Sequence, residues 1–135
     1  MKDRILALLI TAVFACVPAG SQTGAVDESA LVGDWRGDSI CVVRPSACND
    51  EKALYRVKKR EGLNAYSVQA DKIVDGKPVE MGTMECTFAP EKHQLTCSTP
   101  RLVLNLTLSG KKLGGTMNLR DGTVWRNINL KKDEA

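Results

Sequence analysis

The chain has 135 residues, 19 basic and 16 acidic side chains, and a formal charge of +3. That balance excludes a strongly electrostatic nucleic-acid binder, and the length suits a single domain with a modest core.

Lys2 and Arg4 precede the apolar run 5–15, and the break Pro18-Ala19-Gly20 follows it. This is the layout of a secretory signal. The run is far shorter than the ~20 residues a membrane-spanning helix needs, and it has no polar face to show water. The expectation is a leader over residues 1–24 and a linker over 25–30, with cleavage motifs at Val17-x-Ala19 and Thr23-x-Ala25. Val13-Phe14-Ala15-Cys16 resembles a bacterial lipobox, although Phe14 stands where a small residue is usual. Export therefore has two forms: soluble in the periplasm or medium, or membrane-tethered through lipidated Cys16. Losing residues 1–24 removes Lys2, Arg4 and Asp3, so the charge falls from +3 to +2.

From residue 31 onward the sequence reads as eight short segments separated by turn signals, at 31–43, 52–59, 65–74, 79–88, 94–98, 101–108, 112–120 and 123–131. Asp75-Gly76 is a strong hairpin turn signal, and the seventh segment ends at Asp121-Gly122. Loops this short leave no room for a parallel crossover, so the sheet must be an antiparallel meander. Alternation is clearest late in the chain, where Leu102, Leu104, Leu106 and Leu108 interleave with Val103, Asn105 and Thr107. Gly114-Gly115 is expected to mark a bulge or a sharp bend that lets the sheet curl closed. The predicted fold is all-β: an eight-stranded antiparallel up-and-down barrel over residues 31–132, followed by a polar tail at 133–135.

Setting Cys16 aside, Cys41, Cys48, Cys86 and Cys97 form an even set in a small exported domain, as a disulfide framework requires. Zinc is disfavoured, because there is no C-x-x-C and His93 is the single histidine. Of three pairings, Cys41–Cys48 closes the loop after the first strand, and Cys86–Cys97 staples the fourth strand to the fifth.

Parity places Arg126 on an inward face with Val124, Ile128 and Leu130, where a charge needs a partner. An indole is one such partner, and Trp35 lies inward near the start of the first strand. Gly33-x-Trp35 on strand one with an arginine on the last strand resembles the signature of the calycins, the lipocalin-like barrels. That resemblance implies Gly33, Trp35 and Arg126 as structural anchors, the arginine packing across the tryptophan to close one end. The chain departs from true lipocalins in being shorter and lacking a C-terminal helix. Gly33-x-Trp35-x-Gly37-x-Ser39-x-Cys41, Cys48-x-Asp50-Glu51 and Met81-Gly82-x-Met84-x-Cys86 also resemble a group of small exported bacterial proteins. That second likeness carries no activity with it.

No catalytic residues are expected, so the chain reads as a non-enzyme without cofactor or metal. His93 sits in a polar loop with no nucleophile motif, and Asp50-Glu51 has no matching inward carboxylate. Arg36-Gly37-Asp38 falls mid-strand, where loop-tip display is unavailable. Two functions survive: a binding module for a small apolar or amphipathic molecule, or a filled-core interaction protein that binds a protein partner. For the former, Tyr55, Tyr66, Met84 and Phe88 are the expected wall of an opening opposite Trp35, with a cavity of at least ~300 Å³.

Overall fold

The computed structural model describes residues 28–134. The expected leader, Cys16 and residues 25–27 of the linker lie outside the described residues. The strands are β1 Gly33–Cys41, β2 Glu51–Lys59, β3 Ala65–Val74, β4 Lys77–Ala89, β5 Gln94–Ser98, β6 Leu102–Ser109, β7 Lys112–Leu119 and β8 Val124–Lys132. Each pairs antiparallel with the next, and β8 returns to β1, closing an eight-stranded barrel.

Alternation decides the inside. Trp35, Tyr55, Val57, Val68, Phe88, Leu95, Leu104, Leu106, Ile128 and Leu130 point inward and form one continuous core. Local chemistry sets the turns: Asp75 and Gly76 adopt φ of 50° and 78°, the pair of positive values a two-residue hairpin uses. Both disulfides take the expected pairing, Cys41–Cys48 across the loop after β1 and Cys86–Cys97 between directly opposed residues of β4 and β5.

Closure needs two close approaches. A Cβ on Gly37 would meet the Asn129 carbonyl oxygen at 2.0 Å, and one on Gly115 would meet that of Asn105 at 1.9 Å. Both positions therefore require glycine for backbone proximity. Gly114 and Gly115 keep regular register with β6 and β8, so of the two expectations there, bulge or sharp bend, the bulge is absent. The register instead shifts at Ala70/Asp71 against β4 and at Met117/Asn118 against β8.

The strands are unequal. β4 has 13 residues and β5 only five, so only Glu85–Ala89 of β4 meets β5. Among the described residues, the leading part of β4, 77–84, pairs on its β3 flank alone.

Two segments flanking the barrel also make contacts. Residues 28–30, assigned to a linker, form a 3-10 turn, Glu28–Ala30, whose Glu28 carbonyl accepts from the Leu31 amide at 3.1 Å. Residue 133, assigned to the tail, extends the β1–β8 ladder: the Asp133 amide donates to Asp34 at 2.8 Å and its carboxylate holds Arg36 at 2.6 Å. These residues flank the periodic pattern on either side, and their backbone and side-chain groups still find partners.

Candidate functional site

The two ends of the barrel differ. At the end bearing Gly33, Trp35 is fully buried and its indole N–H donates to the Leu31 carbonyl at 2.9 Å. The cation over its ring is Lys132, whose ammonium lies 4.8 Å from the centroid and donates to the carbonyls of Ala30, at 3.0 Å, and Val32. Burial holds the Lys132 pKa below its usual range, with Asp34 opposing the shift. Tyr66 and Phe88 pack edge to face at 6.1 Å, and the Lys59 ammonium stands 4.5 Å from the Tyr66 ring. This end is solid.

Arg126 is not there. The expected Trp35–Arg126 contact is corrected by the register, which sets Trp35 opposite Lys132 and Arg126 opposite Cys41. Six residues of extended strand separate those two rungs, about 20 Å. Parity put Arg126 inside correctly, but in antiparallel neighbours an early residue of β8 must meet a late residue of β1.

At its own end Arg126 is buried, and its Nη1 donates to the Ser39 carbonyl at 3.3 Å and hydroxyl at 3.1 Å. Its Nη2 reaches the Glu51 carboxylate at 3.3 Å. Glu51 opens β2 and sits across from Ser39, which is why both converge on the guanidinium. These groups border an interior cavity of about 250 Å³, whose remaining wall includes Tyr55, Met84, Met117, Leu102 and Trp125. Met81, Gly82 and Thr83 on the singly paired part of β4 and Thr99 after β5 complete the rim, so the cavity lies beside the gap that β5 leaves.

Of the four expected wall residues, Tyr55 and Met84 line this cavity, while Tyr66 and Phe88 belong to the solid end. Tyr66 opens the β3 ladder opposite Lys59, at the Trp35 end, so correct parity again lacked the strand direction. Burial pushes the Tyr55 phenol up to about 12; the nearby Arg126 charge pulls it down and Glu51 pushes it up. Tyr66 is raised to about 12 as well, by burial and by Glu28.

Two further carboxylates are tied down. Asp71 borders the cavity where β4 bulges at Met81, and is 3% exposed; Arg56 holds it at 3.1 Å and Gln69 at 3.0 Å. Asp50 accepts the Cys41 amide at 2.9 Å, and that bond, with Arg44 beside it, holds its pKa below the usual carboxylate range. Its role is to fix the Cys41–Cys48 loop near the cavity mouth. Arg36 and Asp38 are engaged mid-strand, with Asp133 and Lys52 respectively.

Outside the barrel, a depression of about 500 Å³ runs among Arg60, Glu61, Glu85, Thr87 and Thr96. Ala65, Tyr66 and Cys86 also line it, and its charged residues, Arg60, Glu61 and Glu85, are exposed, whereas the interior cavity joins a buried charge to apolar surface.

No family model matches the chain, and no curated protein or solved structure matches it.

Proposed function

We propose that this is an exported binding module whose barrel holds one small apolar or amphipathic molecule in the Arg126 cavity. The observation that carries the reading is a buried arginine, fixed by Ser39 and Glu51, beside an interior cavity walled by methionine, leucine and aromatic side chains. Small-molecule sites combine such apolar walls with a few placed polar groups. Thioether side chains adapt to differently shaped guests. Export is supported by the two disulfides and by the leader pattern of residues 1–24. The calycin-like layout favours binding as well, with Lys132 in place of Arg126 over the Trp35 ring.

One observation favours the alternative, an interaction protein with a filled core. The cavity's 250 Å³ falls slightly under the ~300 Å³ at which small-molecule sites begin.

The two tryptophans make a direct test available, because Trp125 lines the cavity while Trp35 is sealed at the far end. An environment-sensitive apolar dye titrated into the exported protein should bind saturably at one site and perturb Trp125 emission. The Trp125→Phe variant should lose the tryptophan response, and Ala70→Leu, which extends a side chain into the cavity, should weaken dye binding at unchanged circular dichroism. Absence of saturable dye binding would favour the interaction protein.

A further inference from the structure

The charge balance of the cavity bears on what kind of head group it accepts, and this inference rests on the cavity being the ligand site. Of the residues lining it, Arg126 alone is basic, and Glu51 already opposes that charge at 3.3 Å. The other acidic residue on the wall, Asp71, is matched from outside by Arg56 at 3.1 Å. The charges of the site are therefore balanced among its own side chains. A carboxylate seated at Arg126 would add one uncompensated negative charge beside the Glu51 carboxylate, which already opposes that guanidinium at 3.3 Å. Burying an unpaired charge in such surroundings is costly.

A neutral carbonyl faces no such penalty. A guanidinium carries five N–H donors, more than the three contacts Arg126 makes with Ser39 and Glu51. The Tyr55 phenol on the same wall is a hydroxyl at neutral pH and can donate or accept. A carboxylate has about four lone-pair sites, so Glu51 can accept an N–H or O–H from the guest while still facing Arg126. Size sets the other limit. At roughly 30 Å³ per water-sized group, the cavity of about 250 Å³ holds about eight non-hydrogen atoms.

We propose that the ligand is a small uncharged amphiphile of about this size, with an amide- or ester-like head on Arg126 and Glu51 and an aliphatic tail along Met84, Met117 and Leu102. Free carboxylic acids of equal length are selected against by Glu51, which makes that residue the specificity determinant of the site.

Hexanamide and hexanoate test this directly, since they have equal numbers of non-hydrogen atoms and differ at neutral pH chiefly in charge. Each is titrated at pH 7 against the exported protein, with displacement of the apolar dye as readout. Hexanamide should compete at least about 10-fold more strongly than hexanoate, a difference of about 1.4 kcal/mol. In Glu51→Gln the guanidinium is no longer opposed, and the ratio should move at least about 10-fold toward hexanoate. Near-UV circular dichroism checks that this rim substitution leaves the fold intact, and Glu51→Asp, which keeps the charge, should retain the amide preference. Stronger competition by hexanoate in the unaltered protein, or an unchanged ratio in Glu51→Gln, overturns the head-group inference. Saturable dye binding with no competition from either compound also overturns it and leaves the cavity reading standing. Failure of the dye itself to bind removes both.

Discussion

Replacing Lys132 by methionine removes the cation over Trp35 while keeping an aliphatic stem of similar length. The ammonium lies 4.8 Å from the ring centroid and donates to the carbonyls of Ala30 and Val32. A cation–π contact at a partly exposed site contributes about 0.5–1 kcal/mol, and hydrogen bonds from a charged donor about 1.5–3 kcal/mol. Desolvation of the ammonium, the main cause of its lowered pKa, offsets part of that, and the exposed ends of the carbonyls can turn to water. A net loss of about 1–2 kcal/mol remains, or a fall in Tm of roughly 5–15 °C for a domain of this size. Urea unfolding of Lys132→Met, Trp35→Phe and the double variant should give a coupling energy of about 0.5–1 kcal/mol. The same cycle with Arg126→Met in place of Lys132→Met should be additive within about 0.5 kcal/mol, because the guanidinium sits at the Ser39 rung, four residues of extended strand or about 13 Å from Trp35. Additivity for Lys132 together with coupling for Arg126 would refute the assignment of the two barrel ends.

The chain has two tyrosines, and both phenols are raised to about 12. An acid whose folded pKa is raised stays neutral in the native state while the unfolded chain ionises from about pH 10, so stability is intact below pH 10 and declines between 10 and 12. For Tyr55 the slope is about 1.4 kcal/mol per pH unit; absorbance at 295 nm should show little tyrosinate at pH 10.5 until urea is added, and early ionisation of both rings would contradict their burial. Arg126→Met should abolish dye binding while lowering stability by no more than about 3 kcal/mol, since Glu51 lies near the rim and can rehydrate; unchanged dye affinity would remove Arg126 from the site. Replacing Cys86 and Cys97 together by alanine should lower stability by about 2.8 kcal/mol in the chain-entropy treatment of a loop of about 12 residues. A non-reducing peptide map with a Cys41–Cys97 or Cys48–Cys86 fragment would contradict the pairing.

Much of the architecture was legible because it depends on local chemistry. Turn residues at Asp75-Gly76 and alternation in residues 102–108 specify hairpins and inward faces without reference to distant parts of the chain. The disulfide pairs were legible for the same reason, each joining neighbours in the meander. Position along the barrel axis was the weaker inference. Trp35 and Arg126 share the interior yet sit toward opposite ends, and Tyr66 lies four rungs along the β2–β3 ladder from Tyr55, which is itself paired with Trp35. Parity carries no information about depth; strand direction does. An antiparallel β8 beside β1 puts the last residues of the chain next to Trp35, a signal that pointed to Lys132. The Ser39–Glu51–Arg126 cluster was missed because Glu51 reads as a loop residue until β2 is seen to begin there.

The singly paired part of β4 has a bearing on solubility. A strand with one bare flank presents a ladder on which another chain can grow, the first step toward a fibril. Residues 77–84 carry several deterrents: Pro78 has no amide to offer, Lys77 and Glu80 place charge beside the flank, and the register shift near Gly82 breaks the regular spacing. The cavity beside this flank benefits from a gap that a sixth or seventh residue in β5 would begin to seal. One short strand thus creates access to the interior and a risk of self-association together, and the chemistry of β4 suppresses the second without closing the first.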